Sequence, residues 1–424
     1  MNDITLDGGG AVFVIHGDLC ALALLQCSRI RLKNFTVRYA APSNVEFTVK
    51  AINNHSVTYQ LSTAAYELNS NRLTFFAESP FSQARYFSFT DNDMTDCWVC
   101  HDGENVFRVW NESSPLSHVK EINRLSEREL QIQYAELPPV KEDAVYAVSP
   151  NHNRHTCGVF FGNCADIRCE NITVNYLTGF GWLSQLCREL SFERLRFVPA
   201  PGYHVTSFAD CLHICSCKGK VSVRDCTFTH SHDDAINIHG VFLRTKEIIS
   251  EREAVFEFAH RQQGGYAPLF PGDRVKFYDR RNLAQIGTVY TVKSVKNNIT
   301  AKTVAVVFDE PLPDLQPLLS VADNIDYHPE VEITDCVFRA IPTRGILCTT
   351  DKKAVICANT FSSVAMADIY ISCDCNEWYE SGPCENMQIF GNRFSKENAV
   401  VIEPICLEEP VKNVHKNILI YDNR

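Results

Sequence analysis

A motif of the form Φ-x-Φ-x-x-Φ-x-Φ, with Φ apolar, recurs along this chain and constrains its fold more than any other feature. It reads Ile30, Leu32, Phe35, Val37, then Ile167, Cys169, Ile172, Val174, then Leu190, Phe192, Leu195, Phe197, and Val221, Val223, Cys226, Phe228. Further copies are Val331, Ile333, Cys336, Phe338, then Ala354, Ile356, Asn359, Phe361, then Met387, Ile389, Asn392, Phe394, with half-copies at Ile4/Leu6 and Ile418/Ile420. Successive first positions lie 26, 137, 23, 31, 110, 23, 33 and 31 residues apart, and the six short steps each match one coil of a parallel β-helix. Alternation sends the apolar residues inward, and a polar residue between the half-strands, such as Asn34, Asp225 or Asp335, makes the bend. A leucine-rich repeat would keep a fixed period, and a β-sandwich would lack coil-to-coil register. The expected fold is all-β, a right-handed parallel β-helix.

The two long steps are insertions. Short alternating strands such as Val45–Val49 and Ser56–Leu61 fill the first, and Asp273–Phe277 and Gly287–Val292 fall in the second. Each insertion is long enough to bury a small core and is expected to form an antiparallel β-barrel-like module. The expected divisions are first coils at 1–40, a module at 41–150, coils at 151–240, a second module at 241–328 and final coils at 329–424. The basic Arg280-Arg281 and acidic Glu251-Arg-Glu253 read as solvated loops. No apolar run approaches the ~18–20 residues of a membrane span, and a net charge of −11 argues against nucleic acid or an acidic polymer as partner. A homodimer stays open. The chain begins and ends in what reads as mid-coil, without a signal peptide, so a fragment is expected.

Nineteen cysteines invite a metal reading. Cys97-x-x-Cys100, Cys215-x-Cys217 and Cys373-x-Cys375 with Cys384 have ligand-like spacing, but no histidine stands at zinc-finger distance. Several others, including Cys169, Cys226 and Cys336, occupy core positions of the repeat, where cysteine acts as a small hydrophobe. Core packing is therefore expected, with no metal site. An abundance of free thiols leans toward a reducing or anaerobic setting.

Counting along the coils locates a candidate site. The string Ala209-Asp-Cys-Leu-His-Ile214 sits over Asp233-Asp-Ala-Ile-Asn-Ile238, and Ile346 of Arg344-Gly-Ile346 over Ile236. Asp210, Asp234 and Arg344 then fall on one line, with coils ~4.8 Å apart, and Asp233 beside them. The preceding coil supplies Phe180-Gly-Trp182 at the same depth, and the following one Asp368 and then the Asn376–Gly382 loop with Trp378 and Glu380. Carboxylates this close repel, so at least one should hold a proton near neutrality, as a general acid requires. The remaining pair can hold and deprotonate a water. A non-functional alternative, an aspartate ladder with Arg344 as counterion, makes no use of the Trp378/Glu380 loop.

The repeat with two insertions, the strings Phe208-Ala-Asp210-Cys-Leu-His and His232-Asp233-Asp234-Ala-Ile-Asn237-Ile-His239-Gly240, and Trp378-Tyr-Glu380-Ser-Gly together resemble glycoside hydrolase family 110. That family comprises bacterial exo-acting α-1,3-galactosidases, and the likeness covers nearly the whole chain. It implies release of terminal α-1,3-linked galactose, as in blood-group B or linear α-galactosyl glycans, with inversion and no cofactor. It also implies a periplasmic, cell-surface or secreted location. Asp210, Asp233 and Asp234 match the family's aspartate trio. By analogy with polygalacturonases, Asp233 is expected to be the general acid, with Asp210 and Asp234 sharing the base role. Arg344, Trp378, Glu380, Asn237 and His239 are expected to bind substrate, although His239 also fits a satisfied strand-end histidine. A polygalacturonase-like enzyme is the nearest competitor, but later coils lack its Gly-His-Gly and Arg-x-Lys pair. A non-catalytic carbohydrate-binding β-helix, or a paralogue that binds galactosides without cleaving them, is the alternative of another class.

Overall fold

In the computed structural model, which describes residues 1–150, 154 and 156–424, the repeat closes into a parallel β-helix. The expected boundary at 150/151 touches residues outside the described ones. Ile4, Ile30, Ile167, Leu190, Val221, Val331, Ala354, Met387 and Ile418 stack in parallel register along one sheet. Asn34, Asp225 and Asp335 stand at the bends with φ of 59°, 51° and 57°, a left-handed conformation that short polar side chains tolerate best after glycine.

Beyond the bend, Phe197, Phe228, Phe338, Phe361 and Phe394 form a ladder with ring centroids 4.7–5.4 Å apart. Each such contact adds about 0.5–1.5 kcal/mol to area burial. The inward position at the same bend carries thiols in some coils and amides in others. Asn359 Oδ1 accepts the Cys336 N–H at 2.9 Å, and Asn392 Oδ1 accepts the Asn359 N–H at 3.0 Å. At another corner Cys164 and Cys187 donate their N–H groups to the thiols of Cys187 and Cys217 at 3.4 and 3.3 Å. The cysteine count thus reflects repeated corner and core positions. Cys100, Cys215 and Cys375 join the cores of the insertions and a neighbouring cluster, whereas Cys217 and Cys384 turn into the coils.

A second parallel sheet is built from Leu22–Leu25, Val159–Gly162, Trp182–Gln185, Leu212–Cys215, the start of Ile236–Ser250, Arg344–Cys348, Ala367–Asp374 and Val400–Ile405. Its outer face carries the candidate site.

Both insertions are antiparallel. In the first, seven strands between Val45 and Val148 form one sheet, and three between Tyr66 and Thr90 pack on it around Phe47, Tyr59, Phe75 and Trp98. In the second, strand Ile236–Ser250 runs straight out of the coil through the expected boundary at 240/241. It pairs with Glu253–Phe258 on one side and Ser320–Asn324 on the other, which closes a ring of six strands. Arg280 departs from the solvated loop expected of it. It is buried, and its guanidinium donates to the carbonyls of Cys375 and Leu318 at 2.8 and 2.6 Å, tying this ring to the later coils. Among the described residues no helix is long and apolar enough to cross a membrane.

Candidate active site

The outer face of the second sheet presents its side chains in rows, because coil stacking places equivalent residues side by side. Leu212, Ile236 and Ile346 are in register and point inward. Two residues before each, Asp210, Asp234 and Arg344 therefore make the first row. His213 and Asn237 pair in the next row, and Cys215 and His239 in the third.

The eight residues singled out from the sequence, Asp210, Asp233, Asp234, Asn237, His239, Arg344, Trp378 and Glu380, all line one cavity of about 450 Å³. Phe180 joins them. Trp182 does not: its ring is buried in the coil interior against Phe161 and Phe192. Asp368 likewise turns inward, fully buried, with Lys396 3.9 Å away, and burial raises it to about 6 against the pull of that lysine.

Nearest oxygens of Asp210, Asp233 and Asp234 lie within 4.8 Å of one another. Their surroundings differ sharply. Asp234 is buried, and its Oδ1 accepts from the Thr343 hydroxyl at 2.5 Å and the Arg344 N–H at 3.1 Å, while Arg344 Nη1 stands 3.4 Å from Oδ2. Burial lifts its proton affinity, against the Arg344 charge and with help from Asp233 and Asp210, to about 7. Asp210 accepts the Asp234 N–H on Oδ1 at 3.1 Å and meets His213 Nδ1 through Oδ2 at 2.7 Å. Its proton affinity is also raised, by burial first, with the His213 hydrogen bond opposing.

Asp233 reverses the expectation for an acid. Arg108 Nη2 donates to its Oδ1 at 3.0 Å and Arg154 Nη2 to its Oδ2 at 2.8 Å. Burial alone would raise this carboxyl, but the two guanidiniums bring it down to about 2. Asp234 and Asp210, not Asp233, are thus the carboxyls whose hold on a proton is strengthened.

His213 completes a short chain. Burial would depress its imidazole, but Asp210 raises it to about 10, so both ring nitrogens carry protons. Nε2 lies 3.0 Å from His239 Nε2, and His239 Nδ1 donates to the Gly240 carbonyl at 2.6 Å. Burial and the His213 charge keep His239 neutral, at about 3. His239 is thereby committed to His213 and to the neighbouring Gly240 carbonyl, within a strand that continues into the second insertion and not at a strand end.

The far wall rests on the second insertion. Glu380 and Ser381 form a short strand against Val241 and Gly240, and Glu380 Oε1 accepts the Asn237 amide at 3.2 Å. The Asp374 carboxylate gathers the N–H groups of Asn376, Glu377 and Trp378 at 2.8–2.9 Å, fixing the loop. Trp378, 44% exposed, meets His260 with ring centroids 4.6 Å apart. Arg344 lies over the Tyr370 ring at 4.8 Å.

Sequence reasoning missed Arg108, Arg154 and any role for His213. His213 stands three residues after Asp210, so its pairing was within reach. Arg108 lies inside the first insertion, where no coil register applies. Together with Arg344 and His213 it supplies the local positive charge that the acidic composition concealed.

The chain is 32% identical to an alpha-1,3-galactosidase A of Streptomyces avermitilis, over 100% of this chain and 70% of that protein. It is 30% identical to an alpha-1,3-galactosidase A of Bacteroides thetaiotaomicron, over 100% of this chain and 73% of that protein. An alpha-1,3-galactosidase B of Phocaeicola vulgatus is 29% identical over 92% of this chain and 65% of its own length. No protein-family model matches the chain.

Proposed function

The chain belongs to the alpha-1,3-galactosidase family, glycoside hydrolase family 110, and on that premise we propose that it is an exo-acting hydrolase of terminal α-1,3-linked galactose. Its substrates are blood-group B or linear α-galactosyl glycans, met in the periplasm, at the cell surface or outside the cell. The observation that carries this reading is the meeting of Asp210, Asp233 and Asp234 in one cavity walled by both insertions, a shape that suits a chain end.

Asp210 and Asp234, bound to each other through a backbone N–H, hold and deprotonate the attacking water. Asp233 protonates the glycosidic oxygen once the substrate draws Arg108 and Arg154 away from it. Arg344 and Glu380 take sugar hydroxyls, Trp378 covers an apolar sugar face, and Asn237 orients Glu380. His239 acts through His213. A second assignment has a specific observation in its favour: Asp234, at about 7, is the carboxyl already protonated at neutral pH and would then be the acid.

Inversion is part of the proposal. It is supported by the hydrogen bonds that occupy Asp210 and Asp234, which suit gripping a water better than attacking carbon. The nearest-oxygen separations, within 4.8 Å, fall short of the ~6.5–9.5 Å gap usual for inverting enzymes and so make the stereochemistry the decisive test. Incubation with galactosyl-α-1,3-galactose, with the released anomer followed by NMR, should show β-galactose first. Initial α-galactose would replace inversion by a covalent route. No release with retained binding would make the chain a galactoside-binding β-helix.

A further inference from the structure

Two walls of the cavity each present one exposed tryptophan, one on the first insertion and one on a loop of the later coils that rests against the second insertion. Trp378 stands on the side of Glu380 and of His260 in the second insertion. Trp110, 59% exposed, stands on the other, at the end of strand Asn105–Trp110 of the first insertion. Two residues earlier on that strand, Arg108 reaches Asp233. The strand is held firmly. Trp110 pairs with Cys97, also a cavity residue, and the Asn111 N–H donates to the Asp96 carbonyl at 3.0 Å. The Asn111 side chain is fixed between Asp96, at 2.9 Å, and the indole N–H of the buried Trp98, at 3.2 Å. An indole kept largely in water on a rigid strand end, in the cavity that holds the three carboxylates, is a preformed surface for the apolar face of a sugar.

We propose that Trp110 forms the acceptor side of the pocket, stacking on the sugar from which galactose is removed, so that the first insertion sets which acceptors are taken. This rests on the reading of Asp233 as general acid. The acid must face the glycosidic oxygen, and so the leaving sugar lies on the side from which Arg108 and Trp110 approach, while the terminal galactose lies toward Arg344, Glu380 and Trp378.

The test compares Trp110→Ala with wild type on galactosyl-α-1,3-galactose and on α-galactosyl fluoride, which has no acceptor sugar. The ratio of the two kcat/KM values should fall roughly two- to tenfold, the worth of one ring contact, and Trp110→Phe should restore most of it. Trp378→Ala should lower both values together. An unchanged ratio in Trp110→Ala, or a loss equal on both substrates, overturns the acceptor role. Binding of a non-hydrolysable thio-linked galactosyl disaccharide, against methyl α-galactoside, gives the same comparison without turnover. If wild type cleaves neither substrate, the proposed activity fails. The thio-disaccharide preference and its loss in Trp110→Ala would still support the platform, and its absence would remove that as well.

Discussion

Replacing Arg108 with methionine removes one of the two guanidiniums on Asp233 while keeping most of the side-chain volume. The pair of arginines lowers this carboxyl from 3.8 to about 2 against a burial penalty of the opposite sign. A lowering of that size corresponds to roughly 2–3 kcal/mol, and losing one partner should return at least half of it. Asp233 in the variant should then titrate roughly one to two units higher. The profile of kcat/KM against pH reports the free enzyme, and its acidic limb should move up by that amount. The limbs of a coupled trio are shared properties and do not by themselves say which carboxyl is the acid. With Asp233 near 2 and Asp234 near 7, either assignment gives the same bell between those values.

The height of the plateau differs. If Asp233 is the acid, only a small fraction of the free enzyme is in the reactive protonation state. Raising its proton affinity by one to two units should then lift the plateau about ten- to hundredfold on the disaccharide. On α-galactosyl fluoride, which departs with little protonation, no such gain should appear. A limb that moves without a rise in the plateau transfers the acid role to Asp234. A limb that stays in place refutes the claim that Arg108 governs Asp233 at all.

Other consequences follow from the frame around the site. His328, fully buried between Asp323 at 3.0 Å and Asp351 at 2.9 Å, is held up at about 9 by those carboxylates although burial opposes them. Its contribution is complete below about 6.5 and lost as pH rises through 9. That is roughly 3 kcal/mol, and His328→Gln should abolish that portion of the alkaline fall in thermal midpoint. Gly181, at φ +70°, would place an added Cβ 1.8 Å from the Asp210 carbonyl oxygen. Gly181→Ala should therefore push the Asp210 coil aside, costing about 2–4 kcal/mol and at least tenfold in kcat/KM with the circular dichroism of the fold retained. Asn359→Ala leaves the Cys336 N–H and the Ile333 carbonyl without their amide partner in the interior. It should lower stability to urea by about 2–4 kcal/mol, whereas Asn359→Cys, which the same corner accepts at Cys226 and Cys336, should lower it less.

What the sequence made legible was everything that coil stacking copies. Once Ile236 is known to lie over Leu212, the position two residues earlier must line up as well, so Asp210, Asp234 and Arg344 could be aligned without a structure. The same rule explains residues that looked out of place. Asn359 and Asn392 sit at apolar positions of the motif because each buried amide is satisfied by the backbone of neighbouring coils, whereas Phe35, Ile172 and Leu195 fill the same position with apolar side chains. Direction was harder than register. Trp182 lies at the depth expected, yet it starts an inward-pointing row with Leu212 and Ile236 and never reaches the cavity. Arg280 next to Arg281 has the composition of a solvated turn, and only the packing of the second ring on the later coils explains its burial.

The ordering of proton affinities was beyond sequence for a different reason. Three neighbouring carboxylates imply that some proton is retained, but which one retains it depends on charges arriving from outside the repeat. Register gave Asp234 its cation, Arg344, and that cation is too weakly engaged, at 3.4 Å, to offset burial. Asp233 receives two closer guanidiniums, and Arg108 is separated from it by 125 residues of chain. The β-helix therefore fixes the distances within the aspartate trio through rigid stacking, while Arg108 of the first insertion joins Arg154 in setting the charge state of Asp233 and both insertions supply side walls. On the proposed function, catalytic geometry and substrate choice would be carried by different parts of the chain. Relatives that keep the coils while varying residues 105–110 should retain the three aspartates yet differ in acceptor range and in the acidic limb of their pH profiles. Exchanging that strand between two such relatives, with both properties measured, should move the two together. If acceptor range followed the coils and not the strand, the division would be wrong.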